Sequence, residues 1–218
     1  MFDAVSSEQG SQAGGAARGR LERRTVLKGA AWSVPVIAAA VAAPSASASL
    51  SNASLQWSAS STSLLPLRIL SSQTVLTAKA LVTVPTVLSL ANGTGPLSGE
   101  AVVTIAVARP VGLNITVGRA HGFGVDTFNG IAATSGQRTA TYVNNLGFPS
   151  TTFTTTQAVN IASGGALNIP VVWGLAGSRA GLSIDVAASF AVTATVTIDG
   201  KSFTANSTIS ALVGAGIF

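Results

Sequence analysis

The stretch Ile184-Asp185-Val186-Ala187-Ala188-Ser189-Phe190-Ala191-Val192-Thr193-Ala194-Thr195-Val196-Thr197-Ile198-Asp199-Gly200-Lys201-Ser202-Phe203-Thr204-Ala205-Asn206-Ser207-Thr208-Ile209 decides the fold class. Every second residue from Ile184 to Ile198 is apolar, and those between are mostly Ser, Thr and Ala. That period of two is the signature of a half-buried strand. Asp199-Gly200 reads as a two-residue type I′ hairpin turn. Such a turn pairs Ile198 with Lys201, Val196 with Phe203, Phe190 with Ile209 and Val186 with Val213. On the other face it sets Thr195 opposite Thr204 and Thr197 opposite Ser202. Apolar meets apolar and hydroxyl meets hydroxyl, so the register is strongly specified.

Weaker alternation recurs upstream. Leu76 to Val84, Ala101 to Val107 and Leu113 to Val117 read as strands, and so does Leu167 to Trp173. Pro170 places that last strand at an edge or a bulge, because proline cannot donate to a ladder. Shorter strands are expected near Leu55–Ser60, Arg138–Val143 and Thr151–Ile161. Turn clusters separate them: Asn92-Gly93-Thr94-Gly95-Pro96, Asn129-Gly130, Ser163-Gly164-Gly165 and Gly177-Ser178-Arg179. Short strands with this punctuation predict an all-β, antiparallel β-sandwich of immunoglobulin-like layout, as one domain over 49–218. No Cys…Trp…Cys pattern marks a true immunoglobulin domain.

The N-terminal 48 residues have a different character. Arg23-Arg24-Thr25-Val26-Leu27-Lys28 precedes an apolar, helix-favouring run from Gly29 to Ala43, then Pro44 and the small residues Ala46-Ser47-Ala48. The segment resembles a twin-arginine signal peptide through Arg23, Arg24, Leu27 and Lys28, whereas Glu22 and Val26 depart from that pattern. The resemblance implies a leader and signal over 1–48, cut near Ala46 and Ala48. It also implies the twin-arginine translocase and a signal peptidase as export partners. The apolar run falls short of the roughly 20 residues a membrane-spanning helix needs. Arginine, alanine and glycine usage resembles that of high-GC Gram-positive, actinobacterial, secreted proteins. Secretion or attachment to the cell surface follows as the expected location.

The formal charge of +5 over 218 residues arises partly in the leader. Beyond residue 48 the cations are Arg68, Lys79, Arg109, Arg119, Arg138, Arg179 and Lys201, and the carboxylates are Glu100, Asp126, Asp185 and Asp199. These cations form no run or stripe, so nucleic acid is not an expected partner. There is no cysteine, hence no disulfide and no thiolate chemistry. Sheet edges are usually guarded by charge, and guards are scarce here. That scarcity points to association with copies of the chain or with a neutral cell-wall polymer.

Chemistry is sparse. A zinc site needs several His or Cys ligands, and a calcium site needs clustered oxygen ligands. Neither pattern occurs, and no cofactor is expected. The nearest approach to a site is the glycine-rich stretch from Gly118 to Gly130, read as a loop carrying Arg119, His121, Phe123 and Asp126. No nucleophile-elbow sequence accompanies it. Three readings remain. One is a non-catalytic secreted or cell-surface structural or interaction domain. Another is an extracytoplasmic enzyme or small-ligand binder using the 118–130 loop. The third is a membrane β-barrel built on the long alternating hairpin.

Overall fold

The structure, a computed structural model, describes residues 52–77, 81–111, 114–185 and 188–211. The signal segment, its cleavage positions and the Val186–Val213 pair lie outside these residues. The strands in chain order are β1 (Ser54–Ser63), β2 (Pro66–Arg68), β3 (Val75–Thr77), β4 (Val82–Ala91), β5 (Leu97–Val107), β6 (Asn114–Arg119) and β7 (Gly122–Phe128). There follow β8 (Ile131–Ala132), β9 (Arg138–Val143), β10 (Leu146–Ile161), β11 (Ala166–Ala176), β12 (Ala180–Asp185), β13 (Ala188–Ile198) and β14 (Lys201–Ala211). A short 3₁₀ turn, Ser135–Gln137, precedes β9. The described chain is all-β.

The hairpin that fixed the reading forms as expected. Ile198 pairs with Lys201, Val196 with Phe203 and Phe190 with Ile209, and Thr195 and Thr197 face Thr204 and Ser202. Asp199 and Gly200 have φ of 47° and 76°, both left-handed, as a type I′ turn requires. Asn129-Gly130 (52°, 77°) repeats the device between β7 and β8, and Asn144-Asn145 (52°, 55°) between β9 and β10. Asn92 organises another turn. Its buried amide nitrogen is directed at the carbonyls of Gly95, Ile161 and Ala162, tying the β4–β5 connection to the β10–β11 connection.

The strands follow one connected path, β12-β6-β10-β5-β13-β14-β4-β11-β7-β8, with β1 on β4 and β9 on β10; β2 and β3 pair separately. Pairing is antiparallel except where β6 meets β10 at Gly147 and Arg119 and where Ile69 bridges Leu175. The sheet is therefore mixed. It curls because β11 changes partner midway: Ala166–Pro170 pair with β4, and Val171–Ala176 pair with β7. Pro170 stands at the switch, where a missing N–H costs least. A bulge follows at once, with Asp126 as the extra residue between Thr127↔Val172 and Val125↔Trp173.

The curl brings β7 over the apolar face of β13 and β10. Phe190 of β13 meets Phe123 edge-to-face at 5.0 Å and Phe148 at 5.4 Å, and Phe128 lies 5.4 Å from Phe153. Phe123 lies in a strand margin against β10, where the Thr151 hydroxyl donates to its carbonyl. Trp173 donates its indole N–H to the Pro85 carbonyl at 2.6 Å, which satisfies a buried donor. On the far side of β7 and β11 lies the segment from β2 to Leu70, whose amide donates to the Leu175 carbonyl at 2.8 Å. A Cβ on Gly174 would come within 2.6 Å of Leu70 Cδ2 and 2.8 Å of the Arg68 carbonyl, so glycine is what admits this cover.

The expectation of a loop from Gly118 to Gly130 is corrected. These residues form the end of β6, the link Ala120–His121, the buried strand β7 and the hairpin turn Asn129-Gly130. Both faces of β7 are covered, so its residues show no in–out alternation. Its glycine at 124 serves close packing: a Cβ there would lie 3.0 Å from Ala176 Cβ and 3.2 Å from Leu70 Cδ1.

Candidate functional site

The residues singled out by sequence fall at two separate places along β7. His121, Arg119 and Tyr142 gather where the β6–β7 link, strand β9 and the β11–β12 turn meet. His121 is buried, its Nδ1 has no hydrogen-bond partner, and the nearby backbone of Ala176 and Gly177 favours its protonated form. The Tyr142 hydroxyl accepts from the Ser178 amide at 2.8 Å. It lies 2.8 Å from the Ser178 carbonyl and 3.0 Å from that of Ala120, between which its single proton is shared. The Arg119 guanidinium carbon stands 5.8 Å from the Tyr142 ring centroid, a cation–π contact. Tyr142 thus pins three chain segments together, a role the alternation of 138–143 gives no hint of.

Asp126 sits at the bulge, five residues from His121. In extended chain that is about 16 Å. Its side chain is 11% exposed and lies 4.0 Å from Arg68 Nε, whose own side chain is 44% exposed. A pair this open contributes at most about 1 kcal/mol. Phe123 is spent on the core against Phe190. The structure therefore brings Arg119 and His121 to one region and leaves Phe123 and Asp126 elsewhere. No hydroxyl is hydrogen-bonded to His121 among the described residues, and Asp126 is out of reach to orient it, so no triad is assembled from these residues. Among the described residues no three His, Asp or Glu side chains converge as metal ligands.

Burial is the main force on His121. It pushes the imidazole pKa below its usual 6.5, and the positive charge of Arg179 acts in the same direction, against the pull of the Ala176 and Gly177 backbone. Below pH 6.5 the unfolded chain takes up a proton that the folded chain resists. Stability therefore falls with acidity from about pH 6.5 down to the lowered folded value, by up to about 1.4 kcal/mol per pH unit, the limit for one proton. Urea titrations between pH 8 and pH 5 should show this slope, and His121→Gln should flatten it. An unchanged slope in the variant would exclude His121 as its source.

Next to this region lies an open cleft of about 180 Å³, lined by Leu70, Ser71, Ser135, Arg138, Thr139, Ala140, Ala176 and Gly177. Arg138, half-buried, is the cation there, and sequence reasoning passed over it because it stands alone at the start of a short strand. Beneath the cleft, Gly124, Val125, Phe153 and Ala176 border a smaller cavity with room for about one water.

Compared with known proteins, the chain matches no family model, and no curated protein or solved structure shows significant similarity to it.

Proposed function

We propose that this is an exported, non-catalytic protein, secreted or held at the cell surface, that works as a structural or interaction domain. The observation that carries the reading is how side chains are divided across the sheet. The apolar residues of β13 and β14 are spent on the interior, whereas their other faces present Ser, Thr, Ala and Asn to solvent with hardly any charge. A lipid-facing barrel needs the reverse arrangement, an apolar band outside. The separation of His121 from Asp126 removes the support that the 118–130 stretch lent to catalysis. The finer fold that goes with this reading is a two-layered sandwich whose layers are joined through β11, supported by the Phe123–Phe190 contact.

A second reading, a small-ligand binder, is favoured by one feature, the Arg138 cleft with its hydroxyls at Ser71, Ser135 and Thr139. Arginine at such a place would take a carboxylate or phosphate.

Fractionation of the native culture, with intact mass of the recovered chain, tests the first reading. We expect a species starting near Ser49 in the medium or the wall fraction. Full-length chain confined to the cytoplasm would defeat it.

A further inference from the structure

The register aligns threonines of β10, β5 and the β13–β14 hairpin, three separate parts of the sequence. Thr154 of β10 stands opposite Thr104 of β5, Thr104 opposite Thr195 of β13, and Thr195 opposite Thr204 of β14. The result is one row of four threonines running across the strands. On one side the next row contains Thr152, Thr193 and Asn206, and on the other Thr156, Thr197 and Ser202. Strands lie about 4.8 Å apart and same-face neighbours about 6.7 Å apart, so these hydroxyls form a two-dimensional lattice. The outer members, Thr154 and Thr204, are exposed; Thr104 and Thr195 are half-buried by their neighbours. Hydroxyls link along the rows: Thr104 to Thr154 at 3.5 Å, Thr197 to Ser202 at 2.8 Å, and Thr193 donating to Asn206 at 3.0 Å. Alanine and valine fill the remaining places at Ala106 and Val102, and Glu100 bounds the face one row further on. Within the three rows there is neither a charged nor an aromatic side chain.

We propose that this face docks an extended, uncharged polysaccharide lying along the Thr154–Thr104–Thr195–Thr204 row. The inference rests on the surface-interaction reading and names its partner. A face without charge offers nothing to a polyanion or polycation, which selects a neutral partner. Each threonine hydroxyl can donate once and accept twice, as sugar hydroxyls do. The strand spacing is close to the length of one sugar unit in an extended chain, so successive strands meet successive sugars. Hydroxyl contacts each add little net binding, and no ring is present to stack on a sugar. Affinity is therefore expected to rise with polymer length and to be weak for short oligomers.

The test is depletion of the purified full chain from solution by cellulose, chitin and xylan, with pectate as the anionic control. Retention on at least one neutral polymer, undiminished by high salt, is expected. Thr104→Val with Thr195→Val keeps shape and strand preference and removes the central hydroxyls. It should weaken retention at least about tenfold. Thr154→Val with Thr204→Val, at the exposed row ends, supplies a second variant should the first misfold. Thr141→Val, on strand β9, should bind as the parent does. The proposal is overturned if no neutral polymer retains the chain, if both double variants bind like the parent, if only pectate binds, or if the face instead joins two copies of the chain. Wall-associated protein that ignores every neutral polymer would defeat this face and leave the surface reading standing.

Discussion

Phe190→Ala is expected to destabilise the protein by about 3–5 kcal/mol, the usual cost of emptying a buried aromatic site. Phe190 is 1% exposed and touches Phe123 and Phe148 edge-to-face at 5.0 and 5.4 Å. These partners come from β7 and β10, so the ring holds the curl of the sheet closed as well as filling its interior. Deletion removes the apolar surface and two aromatic contacts worth about 0.5–1.5 kcal/mol each. Its neighbours lie on three strands fixed by ladders, so the cavity should collapse only partly. Urea unfolding of parent and variant, followed by tryptophan fluorescence, measures the difference. A loss below about 1 kcal/mol would mean that β7 does not pack on β13.

Gly174→Val should produce the second large effect, by overpacking. Even a bare Cβ would meet Leu70 Cδ2 at 2.6 Å and the Arg68 carbonyl at 2.8 Å. The carbonyl is backbone and cannot swing aside, so the segment from β2 to Leu70 must lift from β11. Lifting breaks the bond from the Leu70 amide to the Leu175 carbonyl and uncovers Leu67 and Leu70, both buried. Overpacking of this kind costs about 1–3 kcal/mol, and displacement of the cover adds to it. The variant should also become sensitive to proteolysis between Pro66 and Thr77 while the β13–β14 hairpin keeps its amide protection. Parent-like stability and protease resistance would show that the cover is not seated as described.

The β13–β14 hairpin was legible in the sequence to the individual pair because two local signals agree. Strict alternation separates its faces, and Asp-Gly fixes the turn between them. Strand β7 was not legible, for a physical reason. Its inner face meets Phe190 and its outer face meets Leu70, so neither turns toward water and no alternation is written into 122–128. Glycines selected for close approach then look like loop glycines. Asn144-Asn145 carried a usable signal, since asparagine tolerates the left-handed conformation that both residues adopt, but it lacked the glycine that flags such turns. The site shows the same division. That Arg119 and His121 lie near each other follows from their spacing, whereas Tyr142 joins them only through the pairing of β9 with β10. The threonines at 193–197 alternate visibly, whereas those at 151–156 form a run broken only by Phe153, which hides the face they share. Their alignment into rows depends on β5, which lies between β10 and β13 and is supplied by a distant part of the chain.

On the proposed reading, an exported chain acts through an uncharged sheet face rather than through a catalytic centre. The most direct test is the distribution of parent and Thr104→Val/Thr195→Val chains between wall and medium when each is expressed in the native host. Parent chain is expected to be enriched in the wall fraction relative to variant chain that is equally stable and equally processed. Identical distribution of the two chains would contradict it.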